Sequence, residues 1–293
     1  MVANILGNYL VEIGALSKDE YNALIRITEE ERVKLGLIAV SEGLMTEEQT
    51  EVVNRRQIEV DKKFGEIAID MGYLTKEQVD YLLSKQDNEY IVFLQALEDM
   101  DLIKGENARR IVEDYVEDND LKPEVVDALK SGEIDKIIPA YIPDELDEFR
   151  EQIGIAIRTI IRCVDREVGL KKATIIQTLN TESGGSFQTV DNEDGDAEFT
   201  MGLVDDDGGF LKAANLFAME DFHNLDMDAL DSCAELLNCI NGLYVSMRST
   251  EGIDLELLPP DMQTESMIRK ADNKMCEIPL LIGGEKLRLI LWN

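Results

Sequence analysis

Apolar and polar positions repeat along the first hundred residues. Three short apolar segments, each bounded by glycines (Gly7 and Gly14, Gly36 and Gly43, Gly65 and Gly72), stand 29 residues apart. A weaker fourth copy puts Leu94 and Asp101 in the two glycine positions. Two mostly apolar residues follow each second glycine, and then Ser17-Lys-Asp-Glu20, Thr46-Glu-Glu-Gln49 or Thr75-Lys-Glu-Gln78. A Ser or Thr with Glu or Gln three residues on pairs two of the free N–H groups at a helix start, so each predicts a helix. The apolar segment between the glycines fits a shorter helix that stops at the second glycine. Each unit is therefore helix–turn–helix. A single pair cannot bury its apolar stripe and must stack on its neighbours, which makes residues 1–118 an all-α helical repeat domain.

The periodicity then breaks. Residues 117–122 are polar, Pro123 can open a short helix to Lys130, and Ser131-Gly132 stops it. Pro139 and Pro143 predict extended chain over 137–143, because a residue before proline avoids the helical region. Residues 119–143 thus read as a linker with a short helix. The second domain, 144–293, mixes two periods. A helix is predicted over 145–168, with Ile153, Ile157, Ile160, Ile161 and Val164 at helical spacing. Strand-like stretches follow at 173–179, 186–190 and 198–203. Residues 276–282, Gly283-Gly284 and 286–292 read as a hairpin with a tight glycine turn. This half is α+β.

Residues 225–247 form the most informative helix. At 100° per residue, Asp231, Glu235, Asn238 and Gly242 fall in one stripe about 60° wide. Leu230, Cys233, Ala234, Leu236, Leu237, Ile240 and Leu243 surround it. An ordinary surface helix has a wider polar face, so this one is largely buried. Such a ridge can be merely the polar face that a buried helix exposes. It can also present a carboxylate and a carboxamide together, the first to anchor a lysine and the second to hold a water. Gly242 costs the helix about 1 kcal/mol against Ala, yet it leaves room for another molecule to approach.

Composition narrows the chemistry. Among the 293 residues, 61 are acidic and 29 are Lys or Arg, a formal charge of −32 spread over both halves. Binding to a phosphate backbone or an anionic membrane needs clustered positive charge, which argues against both. A hydrophobic share of 44% is that of a folded chain. Met1-Val2-Ala3-Asn4 carries no basic leader, and no apolar run spans a membrane, so a cytoplasmic protein without membrane insertion is expected. His223 is the sole histidine, and Cys163, Cys233, Cys239 and Cys276 form no CxxC pair. Free, buried thiols are expected and no metal site. The acidic turns at 191–196 and 205–208 fail the spacing of a calcium loop and read as solvated.

Two resemblances follow from these motifs. The segments from Lys34-Leu35-Gly36 through Gly43 to Gln57, and from Lys63-Phe64-Gly65 through Gly72 to Gln86, are joined by a five-residue spacer. They resemble the paired motif in the N-terminal domains of type II secretion and type IV pilus ATPases. Some members bind cyclic di-GMP, and the resemblance implies a ligand site at Lys34, Gly36, Gly43, Gln57, Lys63, Gly65, Gly72 and Gln86. The family's two guanine-binding arginines are Lys34 and Lys63 here, and lysine cannot make that bidentate contact. Asp231, Glu235 and Asn238, with Pro260 after twenty-one intervening residues, resemble the signature of the CheC/CheX/FliY phosphatases. That resemblance covers about 144–293 and implies a CheC/CheX-like domain there, so the expected fold is the all-α repeat domain followed by an α+β CheC/CheX-like domain. It further implies hydrolysis of the aspartyl phosphate of a CheY-like response regulator, with an N-terminal regulatory or localising domain. Asn238 would orient water and Glu235 would pair with the receiver's lysine, while Asp231, Gly242 and Pro260 would contact the partner. The receiver would bring its own magnesium. One Glu-x-x-Asn in this half is similar to CheX, and implies a homodimer paired through a sheet edge, for which 286–292 is the candidate. Glu51 and Asn54 match the same spacing within the repeats, where they read as structural. The alternative is a non-catalytic receiver-docking or scaffold protein whose repeats sense cyclic di-GMP.

Overall fold

The structure is a computed structural model and describes residues 1–30, 34–59, 63–85, 88–165, 168–192 and 197–293. Eight helices make four pairs: Val2–Glu12 (α1), Lys18–Glu30 (α2), Leu35–Ser41 (α3), Glu47–Glu59 (α4), Phe64–Asp70 (α5), Lys76–Ser84 (α6), Glu89–Asp99 (α7) and Gly105–Asp118 (α8). Gly14, Gly43 and Gly72 hold φ of +73°, +68° and +71°, and Asp101 makes the same left-handed turn at +61°. The fourth, degraded repeat therefore keeps the turn with a residue type that visits this region. All three capping boxes form. Ser17 N–H donates to Glu20 Oε2 at 2.8 Å and Glu20 N–H to Ser17 Oγ at 3.2 Å, with equivalent pairs at Thr46/Gln49 and Thr75/Gln78.

The first glycine of each repeat serves packing. A Cβ on Gly7, Gly36 or Gly65 would lie 2.9, 2.6 or 2.8 Å from Tyr21 Cδ2, Thr50 Cγ2 or Val79 Cγ1. Each of those partners stands fourteen residues after its glycine. At the corresponding positions the fourth repeat has Leu94 and Ala108, so the bulk has changed sides.

Between the halves, Glu124–Ser131 (α9) is the short helix expected there, stopped by Gly132 at φ +66°. The chain from Ile134 to Ala140 is a helix (α10), not the extended segment its prolines predicted. Pro139 sits in the last turn, where it removes the single backbone bond to Asp135. Ile137 and Ile138 are buried, and α10 packs against α9 and the helix that follows. That burial outweighs one lost bond. The 119–143 segment is thus no open tether: Val125, Leu129, Ile137 and Ile142 belong to the main core. The helix predicted over 145–168 is a 3-10 segment, Asp144–Phe149, followed by α11, Arg150–Cys163.

Among the described residues, eight strands form one antiparallel sheet: Gly169–Leu170 (β1), Thr174–Thr181 (β2), Gly185–Asn192 (β3), Ala197–Asp205 (β4), Leu255–Leu257 (β5), Asp261–Gln263 (β6), Met267–Ile282 (β7) and Glu285–Trp292 (β8). Their order is β1-β7-β8-β4-β3-β5, with β2 also on β7 and β6 also on β3. The hairpin is as predicted, but β8 is not an edge. It pairs with β7 on one side and β4 on the other, so its backbone has no free row with which to form a dimer. Two helices lie on the sheet, Gly209–Ala218 (α12) and Met227–Thr250 (α13), and α11 packs on α13. The pattern at 205–208 predicted only a loop. Instead Asp205 Oδ1 accepts from the N–H groups of Gly208 and Phe210, both at 3.2 Å, and caps α12. One apolar core runs from Leu10 and Phe93 through Tyr141 and Ile157 to Leu237 and Leu289. A smaller cluster, Leu179, Phe187, Val204, Met275 and Ile290, fills the other side of the sheet.

Candidate functional site

Helix α13 begins where Asp226 Oδ1 accepts from Ala229 N–H at 3.2 Å. Leu230, Cys233, Ala234, Leu236, Leu237 and Ile240 are buried beneath it. Asp231 and Glu235 are exposed on the opposite side, Asn238 and Gly242 are half-buried, and the four form the ridge that the periodicity places together. The apolar surround is less complete than expected, because Leu243 is 46% exposed. Glu235 makes no hydrogen bond or ion pair among the described residues, so its carboxylate is open to a cation from another molecule. A Cβ on Gly242 would meet nothing within 4 Å, so no internal contact requires glycine there.

Asn238 is held from behind. Gln188 Nε2, on β3, donates to Asn238 Oδ1 and, at 3.1 Å, to the backbone carbonyl of Leu258. Gln188 Oε1 accepts from Asn241 Nδ2 at 3.0 Å. Gln188 and Asn241 are buried, at 2% and 0% exposure. Leu258 N–H donates to Thr189 O at 3.0 Å and ties the Pro259-Pro260 segment to β3 beside α13. That bond runs backbone to backbone and fixes the segment's register on the sheet. Pro260 is half-buried there. The ridge therefore stands on a rigid helix, with a buried amide network beneath it that also holds Leu258, in the proline-containing connection between β5 and β6.

Sequence reasoning missed Gln188 and Asn241, although both left a trace. Ser186, Gln188 and Val190 share one face of β3 and are all buried, so a glutamine stands where the alternation calls for an apolar residue. Asn241 likewise lies off the polar ridge, among the buried positions of α13.

The thiols divide. Cys233 and Cys276 are buried, and burial pushes the Cys276 thiol up to about 12. Cys163 and Cys239 are exposed, contrary to the expectation of buried thiols. Cys163 ends α11, and Cys239 follows Asn238 on the outward side of α13. His223 is exposed in the turn before α13. Among the described residues, no group of three or more His, Cys, Asp or Glu is placed to hold a metal ion. Residues 193–196 of the first acidic turn lie outside the described residues.

The nucleotide candidates of the repeats are not gathered in one place. A cleft of about 930 Å³ lies between the second and fourth repeats, lined by Leu35, Thr50, Phe64, Leu94, Gln95 and Arg109 among others. Lys34 and Gly36 line it, whereas Gly43, Lys63, Gly65 and Gly72 do not. Lys34 Nζ is 2.8 Å from Asp99 Oδ1. Gly36 and Gly65 are buried in helix packing, Gly43 and Gly72 sit in exposed turns, and Lys63 is exposed before α5. The Gln57 side chain and Gln86 lie outside the described residues. Glu51 and Asn54 line the same cleft on α4. No described helix is long and apolar enough to cross a membrane.

No protein-family model matches the chain, and no curated protein matches it. Solved structures similar to its C-terminal half are CheX- and CheC-like chemotaxis proteins. One is CheX from Desulfovibrio desulfuricans, 8% identical, with a TM-score of 0.41 over 50% of this chain and 98% of that one. CheX from Vibrio vulnificus is 13% identical, with a TM-score of 0.41 over 50% and 97%. The CheX–CheY–BeF3–magnesium complex from Borrelia burgdorferi gives 14% identity and a TM-score of 0.39 over 50% and 96%.

Proposed function

We propose that this chain is a phosphatase that hydrolyses the aspartyl phosphate of a CheY-type receiver, with Glu235 and Asn238 as its working residues. The observation that carries the reading is the ridge itself. A carboxylate that is unpaired among the described residues and a braced carboxamide stand one turn apart on a largely buried helix, and Gly242 leaves space beside them.

The chemistry asks little of the protein. An acyl phosphate is labile, and its hydrolysis needs a water placed in line with phosphorus. The water oxygen forms the new P–O bond, the bond from phosphorus to the aspartyl oxygen breaks, and the aspartate leaves as carboxylate. The water's proton passes to the released phosphate or to solvent. Asn238 can hold the water between an N–H donor and a carbonyl lone pair. Glu235 can pair with a receiver lysine and set the distance between the two proteins. A divalent ion in this scheme belongs to the receiver. The repeat stack shares its apolar core with this half, and serves as its regulatory or localising part.

The test is phosphate loss from phosphorylated CheY-type receivers, with wild type and Asn238→Ala side by side. Wild type is expected to accelerate the loss. Asn238→Ala is expected to lower kcat by about 10²–10³-fold, the scale of losing one positioned polar group, while receiver binding persists. If wild type accelerates no receiver from the same cell, the chain is a docking module and the ridge a binding surface.

A further inference from the structure

The amides of Gln188, Asn238 and Asn241 form a chain whose direction is set from one end. The Leu258 carbonyl can only accept, so the Gln188 atom 3.1 Å from it must be nitrogen. Gln188 Oε1 then faces Asn241 Nδ2 at 3.0 Å. The second Nε2 hydrogen is left for Asn238, which must turn its oxygen inward to accept it. A reversed Asn238 would set two NH₂ groups against each other. Gln188 is 2% exposed, so water does not readily relieve such a clash. Asn241 Oδ1 is buried with no partner, so the bond that orients Gln188 is the one polar contact the Asn241 side chain makes among the described residues.

We infer that Gln188 is a positioning residue for the proposed reaction: it locks the Asn238 amide in one orientation, with Nδ2 and the second lone pair of Oδ1 turned toward the bound receiver. This rests on the reading of Asn238 as the group that holds the water. Neither group could hold water reproducibly if the amide were free to rotate. Asn238 Nδ2 has no partner among the described residues, which leaves it available for that task.

The variants Gln188→Glu and Gln188→Met separate orientation from folding. In its ionised form, at the alkaline end of the pH profile, the carboxylate introduced by Gln188→Glu would offer only acceptors, so Asn238 is expected there to rotate and turn its NH₂ inward. With a phosphorylated receiver, kcat should fall about 10–100-fold, with KM within about threefold of wild type. Relative to wild type at the same pH, Gln188→Glu should recover toward acid, as the buried carboxyl protonates and regains a donor. Gln188→Met should lose kcat without that recovery. A purely structural role would instead appear as a lower melting temperature with no acid recovery. Independently of activity, NMR measures exchange of the Asn238 side-chain NH₂ with water. Fast exchange in wild type that slows in Gln188→Glu supports the inference. A protected Asn238 NH₂ in wild type, or folded Gln188 variants with wild-type kcat, overturns it. If wild type proves inactive on every receiver, the phosphatase reading fails, while the exchange measurement still decides the orientation of Asn238.

Discussion

Two glycines, each replaced by alanine, should move stability in opposite directions. Gly242 lies inside α13, and a Cβ there meets nothing within 4 Å. Alanine in a helix interior is better than glycine by about 0.8–1 kcal/mol, and no steric term opposes it here. Gly242→Ala should therefore raise the melting temperature by roughly 2–4 °C, the scale for a chain somewhat smaller than this one. At Gly65 the new Cβ would stand 2.8 Å from Val79 Cγ1. Carbon atoms prefer about 3.5–4.0 Å, and forcing extra bulk into a packed contact costs about 1–3 kcal/mol, more than the propensity gain. Gly65→Ala should unfold at lower temperature. Circular dichroism melts of the intact chain measure both. The activity arm separates packing from docking, because Gly242→Leu should stay folded yet raise KM for the receiver at least tenfold. A destabilised Gly242→Ala would refute the open-space argument. A Gly242→Leu with unchanged KM would remove Gly242 from the docking surface.

Other outcomes follow from the same geometry. Cyclic di-GMP titrated into the intact chain at tens of micromolar is expected to give no binding heat, since Lys34 is paired with Asp99 and Gly36 and Gly65 are buried in packing; heat that disappears on Lys34→Ala would restore a nucleotide site. Asn54→Ala, in the second Glu-x-x-Asn, should leave receiver dephosphorylation within about twofold of wild type, because Asn54 has, among the described residues, no amide brace of the kind Gln188 gives Asn238; a larger loss would mean that the repeat cleft takes part. In a Cys163→Ser background, maleimide should label Cys239 but neither buried thiol, and an excess of phosphorylated receiver should slow that labelling. Labelling unaffected by a receiver that demonstrably binds would place the docking surface elsewhere on the chain.

Much of this molecule is written locally. The 29-residue repeat, its capping boxes and its left-handed turns depend on contacts within a few residues, and the ridge of Asp231, Glu235, Asn238 and Gly242 needs only the 3.6-residue helical period. Those features were legible in the sequence because hydrogen bonds near in the chain and allowed backbone angles enforce them. What the tertiary structure decided is of longer range. Burial of Ile137 and Ile138 holds a helix through Pro139, and the strand order puts β8 inside the sheet instead of at its edge. The brace behind Asn238 joins groups 50 and 70 residues apart in the chain. No local pattern could pair them, because only the packing of α13 on β3 removes their amides from water and so makes a partner of each for the other.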